Sequence, residues 1–263
     1  MKLPLTRLGR LWLVLLIAAA GVFTVLVLPP LQQSQDYHQF ADHRPLLGIP
    51  SFLNVVSNVG FLIVGLMGMR FLYTQSMSKA EGSFLEPSER LPYAVFFLGA
   101  LLTGLGSAYY HWTPTDTTLT WDRLPMTLMF MAILAATVVE RADFQLGLWL
   151  LGPLVVAGAA TVWWWRWTGN LWPYAAAQYF SIFLVILLYG LFPPRYTRSA
   201  ELLGAAAIYG VAKAAEALDA TILGILHLLS GHTLKHLIAA AAVFWVLRVL
   251  RKRVPLTNAN PGW

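Results

Sequence analysis

The feature that most constrains this chain is a series of long apolar runs, each near the ~20 residues that a helix needs to cross a membrane. Hydrophobic residues make up 58% of the chain and charged residues only 11%, whereas a soluble domain carries about 25% charged residues. A membrane accommodates such runs as helices that satisfy their backbone groups internally. The sequence therefore predicts an all-α polytopic membrane helical bundle. The runs cover roughly 11–28, 51–73, 91–112, 123–140, 144–165, 173–192, 200–224 and 232–250.

The first run stands apart from the other seven. It follows a basic segment, as in a signal peptide, but it is longer than the about 7–15 apolar residues usual in one, and we interpret it as an uncleaved span or signal anchor. No repeat or separate soluble domain is visible. We expect residues 1–30 to form an N-terminal span, 31–253 a seven-span domain and 254–263 a cytoplasmic tail.

The basic residues indicate an orientation, because Lys and Arg collect on the cytoplasmic side of membrane proteins. With the N-terminus inside, most of the 18 Lys and Arg residues lie inside. The inner set is Lys2, Arg7, Arg10, Arg70, Lys79, Arg90, Arg141, Arg195, Arg198, Arg248, Arg251, Lys252 and Arg253. The outer set is Arg44, Arg123 and Arg166. An even number of spans returns the basic C-terminus to the cytoplasm, so both termini are expected there.

Charge and cysteine content exclude several kinds of function. The chain has no cysteine, so disulfides, thiolate metal sites and cysteine nucleophiles are excluded. Any metal must be held by His, Asp, Glu or water. The formal charge of +6 is accounted for by the loops that orient the helices, and no nucleic-acid partner is expected.

His232 and His236 are four residues apart at the start of the last run, so they lie on one face of a helix. Such a pair can bind a metal, or it can simply face water at a helix entrance. The predicted topology places His111, Ser107 and Asp122 in the same outer leaflet, although none of them was used to set the orientation. Keeping ionisable groups in a membrane is costly, and their clustering indicates a shared site.

The chemistry that fits this cluster is a zinc site with three histidine ligands. Such a site keeps a fourth position for water and lowers the pKa of that water to about 7. Ser107 lies one helical turn from His111, from where its hydroxyl could donate to a developing oxyanion. Asp122 could accept the proton of the water and pass it to a leaving amine.

Other polar residues near this leaflet fit several roles. Glu216 and Asp219 follow Lys213 at intervals of three in the seventh run. They either form a helix-joining ion pair with it, support the histidines, bind polar substrate atoms, or serve a transporter as a proton relay. Lys235 is expected to point away from the histidine face and to reach the outer lipid head groups. The remaining candidates for supporting or substrate-binding roles are Asn54, Ser57, Asn58 and Tyr110.

Three segments together resemble the alkaline ceramidases, part of a seven-span membrane hydrolase superfamily that includes the adiponectin and progestin receptors. They are Gly106–His111 (GSAYYH), Asp122–Met126 (DRLPM) and His232–His236 (HTLKH). Phe52–Asn58 is similar to the first core span of that family. The resemblance runs from about residue 36 to 250.

The resemblance implies residue roles and a reaction. His111, His232 and His236 would bind zinc, and Ser107 and Asp122 would be the catalytic serine and aspartate. The reaction would be hydrolysis of the amide of ceramide, or of a related N-acyl lipid, to a free amine lipid and a fatty acid. The alternative is a receptor-like or structural seven-span protein in which zinc only joins helices.

The chain departs from the eukaryotic members in two respects. Ser51 stands where an acidic residue of their calcium site is expected, and only Asp36 and Asp42 are nearby carboxylates, so a bound Ca²⁺ is doubtful. The short loops and the added first span favour a bacterial inner-membrane protein with its active site toward the periplasmic leaflet. Its partners would be membrane lipids, and the sequence does not indicate an oligomeric state.

Overall fold

The computed structural model describes residues 5–77 and 82–256, which form helices and no strand. Lys2, Lys79 and most of the predicted tail lie outside the described residues. The α-helices are α1 (Arg7–Val27), α2 (Phe52–Val56), α3 (Val59–Met77), α4 (Arg90–Trp112), α5 (Asp116–Thr137), α6 (Phe144–Thr168), α7 (Trp172–Ala175), α8 (Ser181–Leu191), α9 (Leu203–Ala217), α10 (Asp219–Leu226) and α11 (Gly231–Lys252).

The all-α membrane bundle is confirmed, because seven helical segments of the described residues are long and apolar enough to cross a membrane. They are Arg7–Val27, Phe52–Met77, Pro87–Trp112, Asp116–Ala142, Phe144–Thr168, Trp172–Leu191 and Gly231–Lys252. Several continue past the ends of their α-helices through short 3₁₀ or π turns. Each of the seven overlaps one of the predicted spans.

The predicted span 200–224 is wrong as a single helix. The helix stops at Leu218, whose backbone angles (φ −102°, ψ 24°) are not helical, and α10 begins at the next residue. The Asp219 carboxylate accepts hydrogen bonds from the backbone N–H groups of Ala41 (2.9 Å) and His232 (2.7 Å). The break thus places Asp219 between the 31–50 segment and the start of α11.

Close packing of α4 on α5 depends on Gly106. A Cβ atom at this position would lie 2.1 Å from the carbonyl oxygen of Trp121, far inside van der Waals contact. The two helices can therefore approach with their backbones almost touching. Ser107 follows Gly106 on α4 and Asp122 follows Trp121 on α5, so this contact positions both side chains.

Helix α1 lies outside this core. None of its apolar residues is buried, and a Cβ at Gly21 would meet the ring of Phe180, which marks where α1 contacts the bundle. The main buried cluster lies among α3, α4, α5 and α11 and includes Phe97, Tyr93 and Leu247. The peripheral position of α1 agrees with its separation in sequence from the other seven runs.

We call the end of the bundle that holds the C-terminus of α4 and the N-termini of α5 and α11 the site end. The polar segment 31–50 folds over it, with Phe40 buried. Asp42 forms an ion pair with Arg44 (2.8 Å), and the Arg44 guanidinium donates to the carbonyls of His227 (3.0 Å) and Leu228 (2.6 Å). These bonds attach the segment to the turn between α10 and α11.

The other end of the bundle is closed by buried charges. Arg253, directly after α11, is 1% exposed and pairs with Glu140 (2.5 Å). Tyr196 donates to Glu89, and its ring lies 4.0 Å from the Arg253 guanidinium. The sequence count placed Arg253 on the cytoplasmic side without indicating that it is buried, where it joins the end of α11 to the preceding helices.

Candidate active site

The first turn of α11 is built to hold its histidines in place. Ser230 is the N-cap, and its hydroxyl accepts a hydrogen bond from the backbone N–H of Thr233 (3.1 Å), which satisfies one of the open donors of the helix start. The side chain of Thr233 donates to Asn54 Oδ1 (2.8 Å). This bond fixes α11 against α2, so His232 and His236 point into the bundle.

The three histidines predicted to bind a metal meet at the site end. His111, His232 and His236 are buried, and one nitrogen of each lies within 4.8 Å of the others. Nε2 of His232 and Nε2 of His111 are 3.2 Å apart. Helices α4 and α11, distant in sequence, thus bring together side chains that the sequence placed only in the same leaflet.

His236 is oriented by a second layer of contacts. Its Nδ1 lies 2.8 Å from Oγ of Ser57, and the Ser57 hydroxyl donates to the carbonyl of Asn54 (3.2 Å). With its hydroxyl donating to Asn54, Ser57 can accept a hydrogen bond from Nδ1–H of His236. The ring is thereby held in the tautomer that leaves Nε2 free as a ligand, and Nε2 is a buried atom with no partner among the described residues.

The donor set fits a zinc ion. Tetrahedral zinc with bonds of about 2.0–2.1 Å to nitrogen separates its ligand atoms by about 3.3 Å. The Nε2 atoms of His111 and His232 are 3.2 Å apart, and the three ligand atoms lie within 4.8 Å of one another. The Lys235 ammonium lies 2.8 Å from Nε2 of His232 and would turn aside when a metal binds. Three neutral imidazoles with no carboxylate ligand are a known catalytic zinc set. The orphaned Nε2 of His236 needs a partner, which a metal supplies.

Ser107 and Asp122 lie beside the histidines. Both are buried, and the Ser107 side chain lies near the Asp122 carboxylate. Both line the cavity that also exposes His236. The carboxylate is therefore positioned and accessible for proton transfer inside the protein.

The expectation that Lys235 reaches the lipid head groups is wrong. Its ammonium group lies 2.8 Å from Nε2 of His232 and 3.0 Å from Oε1 of Glu216. Glu216 also pairs with Lys213 on its own helix. The acidic side chain draws Lys235 inward and joins α9 to α11, which agrees with the helix-joining interpretation of the charges in this region.

A cavity of about 300 Å³ begins at His236, Ser107 and Asp122. Its polar part is lined by charged and amide side chains, while the rest is lined by apolar side chains of α5, α8, α9 and α11. The apolar part continues toward the other end of the bundle through Tyr189, Leu202 and Val246. Its shape and lining suit a molecule with one polar end and a long apolar chain.

Several other candidate residues do not line this cavity. Asn54 organises the start of α11, and the Asn58 amide donates to the Asn54 carbonyl (2.8 Å). Tyr110 lies 2.9 Å from Nδ1 of His38 and supports the 31–50 segment. Asp219 binds the backbone N–H of His232 and not its ring. Their contacts support the site from outside the cavity, whereas Glu216 lines the cavity itself.

Four residues of the site had no role in the sequence-based interpretation. Phe40 packs against the rings of His111 (4.5 Å) and His232 (4.6 Å), and Gln33, Tyr37 and Arg123 line the cavity. Three of them belong to the polar segment 31–50, whose folding over the site no periodic pattern indicates. Arg123 directly follows Asp122, but a charge at the start of a span gives no sign of pointing inward.

Two groups of this segment have shifted acidity. Burial, and then the charge of Glu216, raises the pKa of Tyr37 well above its usual value, so its hydroxyl stays protonated and donates to Glu216 (3.4 Å). The hydrogen bonds from Arg44 lower the pKa of Asp42. The Asp42 carboxylate is thus already occupied by a guanidinium group.

Comparison with known proteins agrees with this geometry. The model of the family described as Ceramidase matches residues 48–247, which includes both histidine-bearing helices. No curated protein sequence matches the chain.

Proposed function

The chain belongs to the ceramidase family, and from this premise we propose that it is a zinc-dependent integral-membrane hydrolase of ceramide or a related N-acyl lipid. It would cleave the amide bond to a free amine lipid and a fatty acid. The observation that carries the proposal is the shared cavity of Ser107, Asp122 and His236, which continues into an apolar chamber. A lipid amide is the substrate that places a polar reacting bond next to a long apolar chain.

The residues present divide the chemistry among them. His111, His232 and His236 would hold Zn²⁺, which would polarise the amide carbonyl and make a water molecule more acidic. Asp122 takes a proton from the attacking water and returns it to the leaving nitrogen as the C–N bond breaks. The Ser107 hydroxyl, held beside Asp122, can turn to donate to the negative charge that develops on the carbonyl oxygen.

The proposal includes a placement in the membrane. The distribution of basic residues supports an inner-membrane orientation with both termini in the cytoplasm and the site end toward the periplasmic leaflet. Side chains of α8 and α9 both line the cavity. A substrate with apolar chains would therefore reach the site from the lipid and keep its chains among these helices.

The test uses the full-length protein purified in a neutral detergent and incubated with a panel of N-acyl lipids, with and without a zinc chelator. We expect about one zinc per chain, release of fatty acid, and loss of release after chelation. Asp122→Asn should reduce turnover by at least about 100-fold while keeping zinc and thermal stability. Asp116→Asn removes a half-buried carboxylate of the same helix that pairs with His38 and does not line the cavity; it is the matched control and should remain active.

The alternative function gives a different result in the same experiment. In a receptor-like protein with structural zinc, His236→Ala lowers thermal stability, but the wild-type protein releases no fatty acid from any N-acyl lipid. Full activity of His236→Ala would contradict the zinc mechanism. Activity that survives complete removal of zinc would contradict it as well.

A further inference from the structure

Arg123 is a buried guanidinium that has no carboxylate partner among the described residues. It is 4% exposed, and no acidic side chain lies within ion-pair distance of it. Its Nη2 donates to the amide oxygen of Gln33 (2.5 Å), and its Nη1 has no partner. A buried charge normally pairs with an opposite charge, so this site is incomplete as it stands.

Aromatic rings hold the guanidinium in this position. Its central carbon lies 4.1 Å from the ring of Trp165, 4.7 Å from Tyr174 and 5.5 Å from Tyr37. Ring faces attract a cation and can compensate part of its loss of water. They cannot accept the in-plane N–H bonds of Nη1, which stay available for a ligand.

The polar part of the cavity has an excess of positive charge. Arg123, Lys213 and Lys235 line it together with only two acidic groups, Asp122 and Glu216. Glu216 is shared by both lysines, which leaves Asp122 as the one other carboxylate of the lining. A zinc ion would add further positive charge, so a neutral ligand leaves the excess uncompensated and an anionic one does not.

We propose that the lipid cleaved at this site carries an anionic group on its head, which Arg123 binds. The group would be a phosphate, sulfonate or carboxylate, because the flat guanidinium matches the paired oxygens of these groups. This inference rests on the proposed function for the rest of the substrate. Because Arg123 and Asp122 line the same cavity, one lipid head could reach both groups.

The test measures binding without turnover. It uses the full-length protein with Ser107→Ala, which keeps every charge of the site, in a neutral detergent. Microscale thermophoresis compares a short-chain ceramide with the same ceramide phosphorylated on its head, and inorganic phosphate is a third ligand. We expect the phosphorylated lipid to bind about 10- to 100-fold more tightly than the neutral one, as for a charged hydrogen-bonded group.

Further substitutions test whether Arg123 causes the preference for the phosphorylated lipid. Arg123→Gln should abolish it, and Arg166→Gln, an exposed arginine at the same end of the bundle, should retain it. Arg123→Lys keeps the charge but loses the flat pair of donors, so it should keep a reduced preference even if the glutamine variant unfolds. Equal binding of the two lipids in the parent protein would overturn the proposal. So would a preference unchanged by both Arg123 substitutions, or inorganic phosphate binding as tightly as the phosphorylated lipid.

A kinetic measurement separates this proposal from the proposed function. The protein with Ser107 intact should show a higher kcat/KM for N-acyl lipids with an anionic head, and Arg123→Gln should reduce kcat/KM for these and not for neutral ones. If the protein hydrolyses neutral lipids and binds neutral and anionic lipids equally well, the anionic head group is contradicted and the hydrolase is not. A binding preference without hydrolysis of any lipid would contradict the hydrolase and leave the anion site in place.

Discussion

The hydroxyl oxygen of Ser57 lies 2.8 Å from Nδ1 of His236 and can accept a hydrogen bond from it while the serine hydroxyl donates to Asn54. Removing the acceptor should loosen the ring and lower its basicity. We expect Ser57→Ala to weaken zinc binding by about 10- to 100-fold. Competition with a chromogenic chelator measures the change.

The control for this prediction is Ser181→Ala. Ser181 is also buried and also donates to a backbone carbonyl, that of Gln178 (3.1 Å), but it contacts no histidine. It should retain the zinc affinity of the parent protein. An equal loss in both variants would indicate a general effect of the lost hydroxyl and contradict the role of Ser57.

Gly106→Ala tests the close approach of α4 to α5. The new methyl group would lie 2.1 Å from the carbonyl oxygen of Trp121, so the helices must separate. We expect a loss of about 1–3 kcal/mol of stability and a larger proportional loss of activity, since Ser107 on α4 and Asp122 on α5 line the same cavity. Thermal unfolding and fatty-acid release measure the two effects.

Gly152→Ala is the matched control, because a Cβ there meets no atom within 4 Å. It should leave activity unchanged and keep or slightly raise stability, since alanine is the better helix former. Unchanged activity in Gly106→Ala would show that the spacing of α4 and α5 does not set the geometry of the site.

Arg253→Met tests the buried charges at the end of the bundle away from the site. Arg253 pairs with Glu140 and donates to the carbonyl of Ser83 (2.9 Å). Its loss leaves a buried carboxylate without its cation, and we expect a cost of about 3–5 kcal/mol. Adding Glu140→Gln should restore most of this stability, whereas Lys252→Met, at an exposed position, should change little.

The Asp42–Arg44 pair predicts a dependence of stability on pH. The pKa of Asp42 is lowered by Arg44 in the folded protein, so the pair stabilises the fold above the unfolded pKa of about 3.9. This contribution is lost as the pH falls through the lower folded value. Asp42→Asn should therefore lessen the fall in stability between neutral and acidic pH. Thermal unfolding across this pH range measures the change.

Asp36→Asn makes the same change at an exposed carboxylate of the same segment. A similar effect in both variants would mean that the Asp42 ion pair does not cause the acid sensitivity. Because Arg44 also binds the turn before α11, acidification should destabilise the start of that helix first.

The bundle could be predicted because the membrane imposes helix lengths and segregates charge. Topology alone placed His111, His232 and His236 in one leaflet, and the structure brings them into contact. The break at Leu218 could not be predicted, since it depends on Asp219 binding backbone groups of Ala41 and His232, both of them remote from α9.

Side-chain direction near the site was harder to predict than position. Lys235 was expected to reach outward because an ammonium group prefers water. The partner that turns it inward, Glu216, lies on another helix. Arg123 points into the cavity because rings from three separate segments surround it. Such contacts arise only after folding, so no sequence pattern within one helix predicts them.

The ring of Phe40 covers His111 and His232, and Asp219 fastens the next residue, Ala41, to the start of α11. A metal held beneath this cover would be shielded on that side while the segment stays closed. Its residence time would then depend on the opening rate of the segment as well as on the ligand affinity. A chelator added briefly would leave the protein loaded, and Phe40→Ala should shorten the half-life of the metal more than it changes the equilibrium constant.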